Sequence, residues 1–83
     1  MAANQVADAA GIVRHIGRAG RPAEVAAAIA DCRQAALLDE ASAIIVYAAQ
    51  RMDPDHTRIM MELLDIGETD AVRELLTRRL ERR

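Results

Sequence analysis

The chain has 83 residues, with 11 basic residues against 13 acidic ones and a net charge of −2. That length suits one domain with a modest core, and the near-neutral balance carries no global signature of a nucleic-acid or acidic-membrane binder. Cys32 is the single cysteine, so no internal disulfide forms; no apolar run is long enough to span a bilayer; and Met1-Ala2-Ala3-Asn4 lacks the charged start and apolar stretch of a signal peptide, so a cytoplasmic location is expected.

Ala is the commonest residue, Phe and Trp are absent, and Tyr47 is the only aromatic. The core must therefore come from Leu, Ile, Val, Met and Ala, and Ala and Leu are strong helix formers. Only Ile44-Ile45-Val46-Tyr47 reads locally as strand. Apart from His15 and His56 every basic residue is Arg, which points to a GC-rich bacterial genome. The charge is unevenly spread: acids dominate residues 35–68 and arginines the C-terminus.

The expected fold is all-α, with about five short antiparallel helices. The first runs from about Asn4 to Arg18, with Val6, Ala10, Val13 and Ile16 on one face. Gly20-Arg21-Pro22 closes it and opens the second, Pro22 to about Gln34. There Val25, Ala28, Ile29, Cys32 and Ala36 follow helical spacing, and Glu24 sits in the first turn, where the helix dipole favours it. The third starts near Asp39 as N-cap and ends near Met52. Its stripe Ala41, Ile44, Ile45 and Ala48 is joined by a second, Ala43, Val46 and Tyr47, so a central helix covered on both sides is expected. The fourth starts at Asp53-Pro54, as N-cap and first helical residue. Ile59, Met60, Leu63 and Leu64 form its apolar face, Asp55, Arg58, Glu62 and Asp65 its polar stripe, and Gly67 its end. The fifth runs from about Thr69 to Arg82, with Val72, Leu75, Leu76 and Leu80 inside. Arg78, Arg79, Arg82 and Arg83 sit at its C-terminal end. Short links make neighbouring helices antiparallel.

A repeat of 31 residues runs through these elements. Asp8, Asp39 and Asp70 keep that spacing, and so do Ala10, Ala41 and Val72, then Val13, Ile44 and Leu75. Gly67 occupies the place of Ala36, and Pro22 and Pro54 open the intervening helices. Residues 1–83 then form a single domain, divided into a half repeat 4–20, a repeat 21–52 and a repeat 53–83. The architecture is either a solenoid-like helical-hairpin array or a compact helical bundle.

The stretches Arg21-Pro22-Ala23-Glu24-Val25 through Asp39-Glu40-Ala41, and Pro54 through Gly67-Glu68-Thr69-Asp70-Ala71, resemble degenerate tetratricopeptide and pentatricopeptide repeats of actinobacterial type. The resemblance covers Pro22 to Leu80, with Val6 to Val13 as a half unit. The tetratricopeptide period is about three residues longer, and its large aromatic is missing here. The resemblance implies a right-handed stack of helix pairs whose second and fourth helices line a groove. Their outward residues are Glu24, Ala27 and Asp31, then Asp55, Arg58, Glu62 and Asp65. Arg58 and Glu62 are the expected partner contacts, set against a plain solvated face with the two side chains paired at i, i+4.

Catalytic chemistry finds no foothold. His15 and His56 stand apart, without a Cys or carboxylate cluster of metal-ligand spacing. Ser42 is the only serine and has no neighbouring base. There is no Gly-rich phosphate loop, and the carboxylates follow helix starts and solvated faces. No cofactor, metal or enzymatic activity is expected, and Cys32 reads as a small buried hydrophobe.

The leading reading is a non-catalytic protein-interaction or adaptor module, binding another protein or a second copy of itself. A chain starting mid-repeat has an end without a polar cap, open to stacking. One alternative is a self-assembling signalling module resembling the death fold, pairing the acidic middle with Arg78 and Arg79. Another is nucleic-acid binding through Arg73 to Arg83. Against it stand the missing stacking aromatics and the acids Glu74 and Glu81 between the arginines. The partner-binding candidates are Glu24, Asp31, Asp55, Arg58, Glu62, Arg78 and Arg79.

Overall fold

The computed structural model describes the backbone of residues 2–81 and the side chains of residues 11–81. The side chains of Val6, Asp8 and Ala10, and residues Arg82 and Arg83, lie outside the described residues. Five helices follow in order: α1 (Ala2–Ala19), α2 (Pro22–Gln34), α3 (Leu38–Ala48), α4 (Asp55–Asp65) and α5 (Thr69–Glu81). No strand occurs among the described residues. The β-branched run Ile44-Ile45-Val46 lies inside α3, where Ile44 and Ile45 are fully buried. Apolar burial at helical spacing outweighs the few tenths of a kcal/mol by which such residues disfavour a helix.

Two helix starts differ from expectation. α3 begins at Leu38 with Leu37 as N-cap, so Asp39 lies in the first turn instead of capping it. There it still meets the positive end of the helix dipole. α4 begins at Asp55 with Pro54 as N-cap. Asp53 is therefore outside the helix, and its Oδ1 accepts a hydrogen bond from the Thr57 hydroxyl at 3.1 Å.

The helices form two layers. α1, α3 and α5 pack side by side in one, α2 and α4 in the other, and the hairpins α2–α3 and α4–α5 join them. The core lies between the layers. Val25, Ile29, Ile44, Ile45, Ile59, Leu63 and Leu75 are its largest fully buried members, and each contributes about 1.5–3 kcal/mol relative to an exposed position. α3 touches α1, α2 and α5 and is central. Its second stripe is covered only in part, because Ala43, Val46 and Tyr47 are half-buried. Val46 and Tyr47 border shallow hollows between α3 and its layer neighbours.

The two hairpins turn in the same way. α2 ends with Ala36 at φ 61°, where Leu37 N–H donates to Cys32 O at 2.8 Å and Ala36 N–H to Arg33 O at 3.1 Å. α4 ends with Gly67 at φ 80°, where Glu68 N–H donates to Leu63 O at 2.9 Å and Gly67 N–H to Leu64 O at 3.0 Å. Each donor and acceptor of the second turn stands 31 residues after its counterpart in the first. This is the paired bond pattern that closes a helix on a left-handed residue.

Candidate functional site

The outer surface of the α4–α5 hairpin is unusually apolar for an exposed one. Met61 and Leu64, three residues apart on α4, are 59% and 53% exposed; Leu76 and Leu80, four apart on α5, are 44% and 67% exposed. Ile66 in the connecting turn is exposed as well. Each pair spans one helical turn, so each forms a contiguous apolar strip on its helix.

The position of these side chains in the repeat explains them. The residues 31 earlier than Met61, Leu76 and Leu80 are Ala30, Ile45 and Ala49, and all three are buried. Ile45 and Ala49 belong to the same core cluster as Ile59, Leu63, Ala71 and Leu75 of the following hairpin. The face that α2–α3 presents to α4–α5 is thus covered, whereas the equivalent face of α4–α5 is open. Leu64 stands where α2 has Arg33, which reaches the next turn and pairs with Glu68 at 2.9 Å and Asp70 at 3.6 Å.

Two arginines bind the α1–α3–α5 layer end to end. Arg51, just past α3, has a side chain only 8% exposed. Its Nε donates to Gly17 O at 2.8 Å and its Nη2 to Ile16 O at 3.0 Å, capping the end of α1, where Ile16 O also accepts the Gly20 N–H at 3.0 Å. Arg79 of α5 does the same for α3: its Nη1 donates to Ala49 O at 3.2 Å and to Arg51 O. Gly17 is what lets α1 and α3 approach, because a Cβ there would stand 2.5 Å from the Tyr47 Cβ.

The expected partner contacts divide. Glu24 and Asp31 are exposed on α2, Asp55 and Arg58 are exposed on α4, and Glu62 is half-buried. α2 and α4 pack together, so these five residues share one layer. Among the described residues no ion pair joins Arg58 to Glu62; Glu24 pairs at 3.9 Å with Arg21, and Asp55 at 3.9 Å with Arg51. Arg78 is exposed but flanked by Glu74 at 3.8 Å and Glu81 at 3.5 Å. Arg79 is half-buried and holds the α3 carbonyls. It does not extend a free cation to a partner, because the end of a neighbouring helix captures its guanidinium.

His56 is the buried polar side chain of the core, 3% exposed, and its Nε2 has no hydrogen-bond partner. It stands 31 residues after the buried Val25. Burial, together with the Arg79 charge, pushes its pKa down against an opposing pull from Asp53. Cys32 is half-buried against the core and free. Burial, with Glu40 and Asp31 nearby, pushes its thiol pKa up, which suppresses thiolate chemistry. Among the described residues no group of His, Cys, Asp or Glu is arranged to hold a metal ion, and no helix is long and apolar enough to cross a membrane.

Arg51, Gly17 and the burial of His56 were not read from the sequence. The repeat carried a signal for the last, since Val25 marks the equivalent position as core. In comparisons with known proteins, no family model, no curated protein and no solved structure matches this chain.

Proposed function

We propose that the chain is a non-catalytic protein-interaction module that docks a helical surface onto its α4–α5 face. The observation carrying this reading is the exposure of Met61, Leu76 and Leu80 where their counterparts Ala30, Ile45 and Ala49 are buried, Ile45 and Ala49 in the core shared with the following hairpin. A surface of that kind is complementary to another amphipathic helix pair, and contiguous exposed apolar surface marks interaction sites. The two-layer order of the helices and the recurrence of the same turn after 31 residues support reading the chain as a helical-hairpin array, whose members bury an apolar face only by stacking on a neighbour. The acidic outer residues of α2 and α4, Glu24, Asp31, Asp55 and Glu62, form a second surface, with Arg58 as its cation.

Site-specific photo-crosslinking in the producing cell tests the reading. A photoreactive side chain at Leu80 should give adducts of defined mass, and one at Glu24 should not. Adducts from Glu24 alone would transfer the docking surface to the α2–α4 layer. Adducts from neither position would remove the interaction reading.

A further inference from the structure

We infer that His56 is an acid-operated latch: proton uptake by its imidazole expels Arg79 from the end of α3 and opens the joint between α3 and α5, while α1 stays docked. This goes beyond the docking reading and holds whatever covers the α4–α5 face.

The fold brings both groups to one corner. His56 lies in the first turn of α4, 3% exposed, and its Nε2 has no hydrogen-bond partner. Arg79 enters from α5 and is the charge of that helix that acts on the imidazole. Its guanidinium is already committed, with Nη1 donating to Ala49 O and Arg51 O just past α3. These carbonyls stand in the short segment that ends at His56, whose own N–H donates to Met52 O at 3.4 Å. One cation thus fastens α5 to α3, and an ionisable group without a partner sits beside it.

The surrounding charges do not compensate a second cation. Asp53 favours one but is outweighed by Arg79, and Asp55 is drawn to Arg51 at 3.9 Å. Further along α4, Arg58 is exposed, and Glu62 and Asp65 lie six and nine residues on. On α5, Arg78 sits between Glu74 and Glu81, Asp70 pairs with Arg33, and Arg73 is exposed. α2 also packs on α4; it buries Val25, Ala26, Ile29 and Ala30, keeps Glu24 and Asp31 exposed, and commits Arg33 to Glu68.

Of the two cations the arginine yields. A guanidinium does not give up its proton, and two unpaired cations held together away from water are costly. Arg79 is half-buried and reaches water by rotating its long side chain, whereas His56 is tied by its backbone into α4. Ala49 O and Arg51 O then lose their donor. Arg51 holds Gly17 O and Ile16 O through its own side chain, so the joint between α1 and α3 is untouched.

Amide hydrogen exchange followed by NMR on the full chain, from pH 7.5 to 4.5 and corrected for the chemical exchange rate, tests the latch. The amides of Arg51 and His56 and those in the last turns of α5 should lose protection. Their opening should grow by up to about tenfold per pH unit below about 6.5, as one proton requires. The Gly20 amide, held by Ile16 O, and that of Ile44 should keep theirs. His56→Val should make the joint insensitive to acid, and Arg79→Met should leave it open already at pH 7.5. Equal loss of protection in all five helices would mean global unfolding and overturn the inference. So would acid opening that persists in His56→Val, or unchanged protection of the joint down to pH 4.5.

Discussion

Ala36 and Gly67 stand 31 residues apart and hold the same left-handed backbone, at φ 61° and 80°. Both close a helix with the same pair of backbone hydrogen bonds, and both are followed within a few residues by the next helix. Glycine adopts this conformation without steric cost, whereas alanine brings its Cβ toward the following carbonyl. One hairpin of the repeat therefore carries backbone strain that the other avoids.

Ala36→Gly should stabilise the fold. Relief of the left-handed strain is worth about 1–2 kcal/mol, offset by up to about 1 kcal/mol of added unfolded-state entropy. The balance is a net gain of about 0–2 kcal/mol, at roughly 4–8 °C in Tm per kcal/mol for a domain of this size. Gly67→Ala should move Tm the other way by a similar amount. Thermal unfolding followed by circular dichroism measures both, and a lower Tm for Ala36→Gly would contradict the equivalence of the two turns.

Much of this fold could be read in the sequence, and the failures have physical causes. Pro22 and Gly67 punctuate helices because of their own backbone constraints, so α2 was legible to both of its ends and α4 to its last turn. The starts of α3 and α4 were not, because Asp39 and Asp53 are good caps in isolation, while the residues that take the N-cap positions, Leu37 and Pro54, carry no capping side chain. Val72, Leu76 and Leu80 fit an inward stripe by spacing, yet Leu76 and Leu80 are exposed. Periodicity gives the apolar side of a helix, but whether something covers that side depends on which element comes next. Arg79 was legible as a cation and not as a cap, since its carbonyl partners, Ala49 and Arg51, lie just past the end of α3, about thirty residues away in the chain.

Gly17→Ala should destabilise strongly for so small a change. Its Cβ would meet the Tyr47 Cβ at 2.5 Å and Ile44 O at 3.1 Å, so α1 and α3 must separate. Overpacking of this kind costs about 1–3 kcal/mol. Gly11→Ala is the matched control in the same helix, because nothing lies within 4 Å of its added methyl. It should be neutral or stabilising by up to about 1 kcal/mol, as expected for Gly to Ala inside a helix. Denaturant midpoints for the pair should diverge in sign, and parallel shifts would mean that α1 and α3 do not pack at Gly17.

Arg51→Met should cost more than an exposed arginine would. It removes the donors to Gly17 O and Ile16 O at 2.8 and 3.0 Å, and a charged hydrogen bond contributes about 1.5–3 kcal/mol. Arg51→Lys should not restore the loss, because an ammonium is a point donor and cannot reproduce the fork that reaches two carbonyls. Hydrogen exchange locates the effect. Protection of amides in the last turn of α1 should fall while that of α4 is kept. Full rescue by Lys would show that Arg51 acts by its charge alone.

His56 should make the fold acid-sensitive. Its pKa is lowered first by burial and then by Arg79, with Asp53 pulling the other way. The N-terminal turn of α4 adds a further penalty for a cation. In the unfolded chain a histidine titrates near 6.5. Below that value the unfolded state binds a proton that the folded state resists, so the unfolded state holds more protons and stability falls with pH. The contribution of the neutral imidazole is present in full above about 6.5, and it is lost as pH drops from there toward the depressed folded value. His56→Val places in α4 the residue type found at the equivalent Val25 and removes an unpartnered buried nitrogen, which costs about 1–3 kcal/mol when left unsatisfied. The variant should be at least as stable as the parent at pH 7.5. Between pH 7.5 and pH 5 its urea midpoint should drop less than the parent's. An equal drop in the two proteins would assign the acid sensitivity to the carboxylates and clear His56 of it.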